Sequence, residues 1–459
     1  RFYRRHRMKN NLKLLFVSLG CDKNLVDTEF MLGMLRDDGI EMTDDEQEAD
    51  IIIVNTCCFI NDAKEESINT ILEMAQYKEQ NLKALVVAGC LAERYKDEIL
   101  KEIPEIDAVL GTTSYDSIVE AVNTALEENT GEHFEHYESI DYLPDNSEVE
   151  RVVTTGNHMA YLKIAEGCDK RCSYCIIPKI RGRFRSVPMQ ELLNEAKRLA
   201  SEGVKELVLV AQETTLYGKD LTGEKQLPLL LHELCKIEGI EWIRLLYCYP
   251  EEITDELIKV IKTEEKVCNY IDMPIQHSEN RILQRMGRRT SREDLVAVIK
   301  KLRKEIPDIT IRTTLITGFP GESQEDHEGL MNFVEECQFD RLGVFTYSPE
   351  EDTLAATFED QIDEEVKEER RDELMSLQQE ISYEHTQQLV GKTIKVMVEG
   401  YLFEDDIYVG RSYMDAPKVD GCVFINSPEE LMTGDFVYVK ITQGREYDVI
   451  GEVDYEFTK

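Results

Sequence analysis

Short apolar runs alternate with helical stretches in two successive series, and this alternation constrains the fold more than any other feature of the chain. In the first series Leu14–Leu19 precedes helical spacing over Leu25–Leu35, Ile51–Val54 precedes Ala63–Tyr77, Leu82–Ala88 precedes Ala92–Ile103, and Ala108–Leu110 precedes Tyr115–Leu126. Strands separated by helices of this length imply a parallel sheet covered on both faces. Residues 131–154 are acidic and lack periodicity, so a linker is expected there, closing an N-terminal α/β domain over 9–130.

The second series has strand candidates at Ala160–Ala165, Glu206–Ala211, Trp242–Tyr247, Tyr270–Ile275, Thr310–Thr317 and Leu342–Tyr347, separated by helical stretches such as Met189–Ser201, Arg292–Glu305 and Gln324–Cys337. Six βα units over 155–362 fit an open, partial (β/α)6 barrel better than a closed eight-unit one. Residues 363–390 are highly charged, with Leu374, Leu377, Ile381 and Leu389 at helical spacing, which reads as a connecting helix. Over 391–459 the texture changes to short β-rich runs: Thr393–Glu399, Ile407–Arg411, Gly421–Ile425, Phe436–Gln443 and Asp448–Tyr455. Such runs suggest a small antiparallel β-barrel of the OB-like kind.

Acidic residues outnumber basic ones by 92 to 53, for a net charge of −39. A surface this acidic repels phosphate backbones and favours a basic protein partner. No apolar window is long enough to span a membrane. The apolar stretch before Cys21 is too short for a signal peptide, and Ser18 stands where a lipoprotein cleavage motif wants Leu. Residues 1–8 are set aside as a leader, and a cytoplasmic protein is expected.

Twelve cysteines in such a chain point to ligands or core residues rather than disulfides. Cys235, Cys248, Cys268, Cys337 and Cys422 are scattered and read as small core hydrophobes. Cys168, Cys172 and Cys175 form C-x3-C-x2-C directly after the Ala160–Ala165 strand and Gly167. Three thiolates in one loop suit a 4Fe–4S cubane with one iron left open. Structural zinc wants four protein ligands, and no His or fourth Cys lies nearby. Cys21, Cys57 and Cys90 each follow an expected strand of the first series, at the carboxyl edge where open α/β sheets bind ligands. A second three-cysteine cluster is the leading reading of that trio, with a thiol redox site as its rival.

The C-x3-C-x2-C spacing, the aromatic Tyr174 before the last cysteine and the six-unit barrel resemble the radical S-adenosylmethionine (SAM) superfamily. Two open-site clusters with a C-terminal β-barrel resemble, more narrowly, its methylthiotransferase family. The blocks Ser18–Asp27, Asn55–Cys57, Ala88–Cys90 and Glu166–Cys168 carry that likeness over nearly all of residues 9–459. Cys58 departs from it, because the family block has Gly there; this leaves a spare thiol beside Cys57. The resemblance implies an N-terminal auxiliary-cluster domain, a radical SAM barrel and a terminal TRAM domain. It implies that the open iron at Cys168, Cys172 and Cys175 chelates SAM, which an electron then cleaves to methionine and a 5′-deoxyadenosyl radical. It implies a second SAM as methyl donor to sulfur on the auxiliary cluster at Cys21, Cys57 and Cys90, and a low-potential electron donor such as flavodoxin or ferredoxin.

Within the barrel, Gln212 and Glu213 end the second strand, where βα barrels keep their active sites; the resemblance places the SAM amino group there, and a helix-capping pair is the alternative. Gly318-Phe-Pro-Gly-Glu322, with Gly318, Gly321 and Glu322, would bring backbone close to SAM or form a plain turn. Gln276 and His277 would face the cavity, or His277 is structural. Two branches of the family are similar: one modifies a transfer RNA adenosine, the other an aspartate β-carbon of ribosomal protein S-twelve, free or in the small subunit. The blocks Gly20–Asp27, Phe339–Glu351, Gly410–Pro417 and Val419–Gly421 favour the second. Independently, residues 391–459 hold seven basic and fourteen acidic residues. That domain suits a basic protein rather than transfer RNA, which remains the alternative partner. A two-cluster electron carrier is the reading from another class.

Overall fold

The computed structural model describes residues 12–127 and 133–457, so the leader expected at 1–8 lies outside the described residues. The chain divides into two compact units.

The first unit comprises residues up to Thr154 together with Ala165–Val187 and Glu350–Thr353. Its sheet is built from β1 (Lys13–Ser18), β2 (Glu41–Met42), β3 (Ile51–Thr56), β4 (Ala84–Gly89), β5 (Ala108–Leu110) and β6 (Phe134–His136). All pairings are parallel, in the order β2-β1-β3-β4-β5-β6. Strands β3 and β4 are buried along their whole length, as expected of strands covered on both faces. Ile52, Val54, Leu85, Val87 and Val109 pack with Ile71, Leu91 and with Ile176 and Ile180 from the later insertion. The stretch expected to be a linker contributes β6 as an edge strand, and Arg151 pairs with Glu29 at 3.0 Å with both side chains buried. A three-residue edge strand is too short to leave a periodic signal.

After β7 (Met159–Lys163) the chain returns to this unit, where β8 (Ala165–Glu166) and β9 (Arg185–Ser186) pair antiparallel. The cysteine loop lies between them in sequence.

The second unit holds β7 with β10 (Glu206–Val210), β11 (Trp242–Leu245), β12 (Val267–Asp272), β13 (Thr310–Thr317) and β14 (Arg341–Thr346). These form one six-stranded parallel sheet, β14-β13-β12-β11-β10-β7, the open (β/α)6 barrel expected from the alternation. The helices Arg292–Glu305 and Gln324–Cys337 start at capping boxes on Ser291 and Ser323, which satisfy backbone N–H groups that the first turn leaves open. The helix Glu364–Leu389 leads to a closed barrel of β15 (Thr393–Leu402), β16 (Ile407–Ser412), β17 (Val423–Asn426), β18 (Phe436–Gly444) and β19 (Val449–Val453). Its core is almost wholly β-branched: Val396, Val398, Val423, Ile425, Val437, Val439 and Ile441. Pairing is antiparallel except between β17 and β19.

Candidate active site

Strands β1, β3 and β4 are neighbours and parallel, so their carboxyl ends finish along one edge of the sheet. Cys21 stands at the N-cap of the helix Asp22–Asp37 that follows β1. Cys57 follows β3 directly, and Cys90 opens the helix Cys90–Arg94 directly after β4. Gly20 shows how tightly the first two loops meet: a Cβ there would lie 2.8 Å from the Cys57 Sγ, and its φ is +85°. Only glycine is unstrained in that left-handed conformation. The Cys57 N–H donates to Ser67 Oγ at 3.0 Å, and the Ser67 hydroxyl donates to Cys57 O at 2.8 Å. The Asn24 amide donates to Leu19 O at 2.7 Å and Thr56 O at 3.3 Å, tying the first loop to the second.

Cys21 is exposed, whereas Cys57 and Cys90 are buried. Burial pushes the Cys57 thiol up, and pushes that of Cys90 up to about 12 despite the opposing pull of Arg181. Cys58 is fully buried in the core beside Cys90, and burial raises its thiol too. Its carbonyl accepts from Arg94 at 3.0 Å, and Arg94 also pairs with Glu350 at 3.2 Å.

In the second cysteine loop the Cys168 N–H donates to Gly182 O at 3.1 Å and the Cys175 N–H to Cys172 O at 3.1 Å. The Lys170 N–H points at Cys168 Sγ from 3.5 Å, the kind of contact that stabilises a thiolate. Cys168 and Cys172 are buried, while Tyr174 and Cys175 are half-buried. Both trios therefore belong to the same compact unit.

Arg181 is the residue that sequence reasoning missed. Its guanidinium is 1% exposed and donates to Glu166 at 2.9 Å, Asp27 at 3.2 Å and Asn24 Oδ1 at 3.1 Å. The only signal is one cation in the basic run Lys179–Arg185, which a solvated surface would explain equally well.

In the second unit, Gln212 follows β10 half-buried, and Glu213 beside it is buried and accepts from Thr215 Oγ1 at 3.3 Å. The next two segments are bound to one another. His277 has no exposed surface: its Nε2 pairs with Glu322 at 3.0 Å and its Nδ1 accepts from Glu279 N at 3.1 Å. Glu322 also accepts from Gly318 N at 3.1 Å and from Arg370 at 2.8 Å. A Cβ on Gly318 would meet Lys367 Cγ at 2.3 Å, and one on Gly321 would meet Asp360 Oδ2 at 2.4 Å. The turn Gly318–Glu322 and His277 are thus tied to the Glu364–Leu389 helix through Arg370 and Lys367.

Three thiols at each place are the donor set of a cubane with one open iron, and the pinched contact at Gly20 leaves the sulfur of Cys57 facing the Cys21 loop. Among the described residues no three His, Cys, Asp or Glu side chains close around a single metal ion. A cubane asks for something different, since each thiolate binds its own iron and the sulfurs stand farther apart. The residues present fit two such clusters.

The fold and these loops define a radical SAM protein with a second cysteine trio. Residues 162–334 match the radical SAM superfamily, 13–111 the uncharacterized protein family UPF0004, and 390–453 the TRAM domain. The chain is 61% identical over 444 residues to the ribosomal protein uS12 methylthiotransferase RimO of Lachnoclostridium phytofermentans, covering 96% of this chain and 100% of that one. It is 51% identical over 454 residues to the protein of the same name from Acetivibrio thermocellus, covering 97% and 99%. The chain belongs to the RimO family of ribosomal protein uS12 methylthiotransferases, uS12 being the S-twelve of the sequence reading. A solved structure of the radical SAM methyltransferase TsrM from Kitasatospora setae shares the fold at 14% identity, with a TM-score of 0.54 over 83% of this chain and 79% of that one.

Proposed function

We infer that this chain is a radical SAM methylthiotransferase that replaces a hydrogen on the β-carbon of an aspartate in uS12 with a methylthio group. The observation that carries this reading is the gathering of Cys21, Cys57 and Cys90 at one sheet edge, in the same compact unit as Cys168, Cys172 and Cys175. Such a β-carbon is neither acidic nor electrophilic, so its hydrogen must leave as an atom and sulfur must be delivered from close by. With clusters and SAM bound, the cysteine-held irons supply the one-electron chemistry and a place for transferable sulfur.

The chain's own residues provide the rest. Cys168, Cys172 and Cys175 hold the cluster that engages SAM, and Tyr174 lies within that loop. Gln212 and Glu213, which follow β10, would take the SAM amino group. Cys21, Cys57 and Cys90 would hold the auxiliary cluster, with Cys57 and Cys90 buried.

For the substrate, the C-terminal barrel offers acidity rather than the basic face that phosphate neutralisation demands. Glu404, Asp405 and Asp406 are exposed at the tip of the β15–β16 hairpin beside Phe403, which is 87% exposed. That surface suits a basic ribosomal protein. A low-potential donor such as flavodoxin or ferredoxin would supply the electron. Among the described residues no helix is long and apolar enough to cross a membrane.

The test is a strain lacking this protein. Mass spectrometry of uS12 and of transfer RNA nucleosides should show the methylthio group missing from the aspartate while the nucleosides are unchanged. Loss confined to a transfer RNA adenosine would instead select the alternative.

A further inference from the structure

We propose that Arg181 is the positioning residue of the auxiliary cluster: a buried cation, locked between the two cysteine loops, that sets how readily the cluster at Cys21, Cys57 and Cys90 accepts an electron. The proposal rests on the ligand reading of that trio.

The geometry is specific. Arg181 reaches Asn24 and Asp27 on the helix that Cys21 opens, and Glu166, which lies just before Cys168. Its charge also opposes the burial that raises the Cys90 thiol. The short helix Ile177–Ile180 that carries it packs against the helix opened by Cys90, with Ile176 and Ile180 in the same core as Cys90 and Leu91. A guanidinium so enclosed cannot swing away, and every partner is itself buried: Asn24 at 2%, Asp27 at 2% and Glu166 at 3% exposure.

Adding an electron to a cluster adds one negative charge. In a low-dielectric interior a fixed cation stabilises that charge far more than water-screened charges do, whereas a fixed carboxylate opposes it. Arg181 should therefore make reduction easier, and Glu166 should make it harder. A merely structural ion pair would hold the loops together without moving the potential with the sign of the charge removed.

The experiment uses full-length protein with Cys168, Cys172 and Cys175 changed to Ala, reconstituted anaerobically so that only the auxiliary cluster is loaded. A dithionite titration followed by EPR reads its midpoint potential. Glu166→Gln should shift the midpoint to less negative values, Arg181→Gln to more negative values, and Arg181→Lys should stay near the parent. Should Arg181→Gln fail to fold, the Glu166→Gln shift still decides. An unchanged midpoint in iron-loaded Arg181→Gln, or in iron-loaded Glu166→Gln where the first variant does not fold, overturns the role of Arg181 alone. A parent protein that binds no iron overturns the ligand reading beneath it.

Discussion

Arg411 of the C-terminal barrel closes a two-pronged ion pair on Glu206, the first residue of β10, at 2.5 and 3.3 Å, with both side chains buried. Arg244 donates to the same carboxylate at 2.8 Å and to Tyr413 O at 2.5 Å. Along the same segment Tyr270 and Arg312 hold Asp420 at 2.6 and 3.3 Å, and Arg341 holds Asp415 at 2.6 Å. Residues Ser412–Asp420 thus fasten the small barrel to the parallel sheet. The domain is a fixed part of its unit rather than a detachable reader.

Glu206 is the carboxylate on which this attachment depends. Burial would raise its pKa, but Arg411 and Arg244 hold it down to about 2 from 4.5. Breaking one partner of a buried pair costs about 3–5 kcal/mol, because the remaining charges are left uncompensated. Glu206→Gln should lower stability by that order, measured by urea unfolding. The sign of the pH dependence follows from the depressed pKa. The contribution is complete above 4.5 and is lost as pH falls toward 2, so the variant's deficit should shrink over that window.

Iron content tests the two trios separately. Anaerobically reconstituted protein should bind about eight irons, as two cubanes require. Changing Cys168, Cys172 and Cys175 to Ala should leave about half. Full iron in that variant would remove the barrel loop from the ligand set.

Cys58 should be dispensable and Cys57 should not. The Cys58 thiol lies in the core of the first unit, so Cys58→Ala should cost about 1 kcal/mol in packing and keep both clusters. Cys57→Ser should abolish methylthio transfer while SAM cleavage persists at the other cluster. The reverse pattern, read by iron assay and product chromatography, would exchange the two roles.

Much of this was legible because it depends on local periodicity. The apolar runs around Leu14, Ile51 and Leu82 fall on β1, β3 and β4, so a cysteine just past each run had to reach the same edge. What the sequence hid are contacts between residues far apart along it. Arg181 meets Asp27 across 154 positions, and Arg411 meets Glu206 across 205. The Gly410–Pro417 block is legible as a family mark, but its work as an anchor appears only once Arg244 and Arg341 are seen to hold it. For His277 the sequence left two readings open, because a strand end does not reveal that the side chain meets the buried carboxylate of Glu322.

The acidic hairpin tip gives a cleaner probe of substrate capture than removal of the domain, which would strand the buried Arg244 and the half-buried Arg312 and Arg341. Reversing Glu404, Asp405 and Asp406 to Lys leaves that anchor intact. Binding of uS12 should weaken most at low salt, and the difference should fade once the Debye length drops below about 10 Å. Equal loss at all salt concentrations in a titration would mean that the tip acts through packing rather than charge.

The most direct measurement combines reconstituted protein, SAM, dithionite and purified uS12 under anaerobic conditions, followed by intact-mass and fragment analysis of uS12. The expected result is the mass increment of one methylthio group in place of one hydrogen, localised to an aspartate, and absent when Cys57→Ser is used although that variant still releases 5′-deoxyadenosine. Unmodified uS12 beside a methylthiolated adenosine in added transfer RNA would contradict the account.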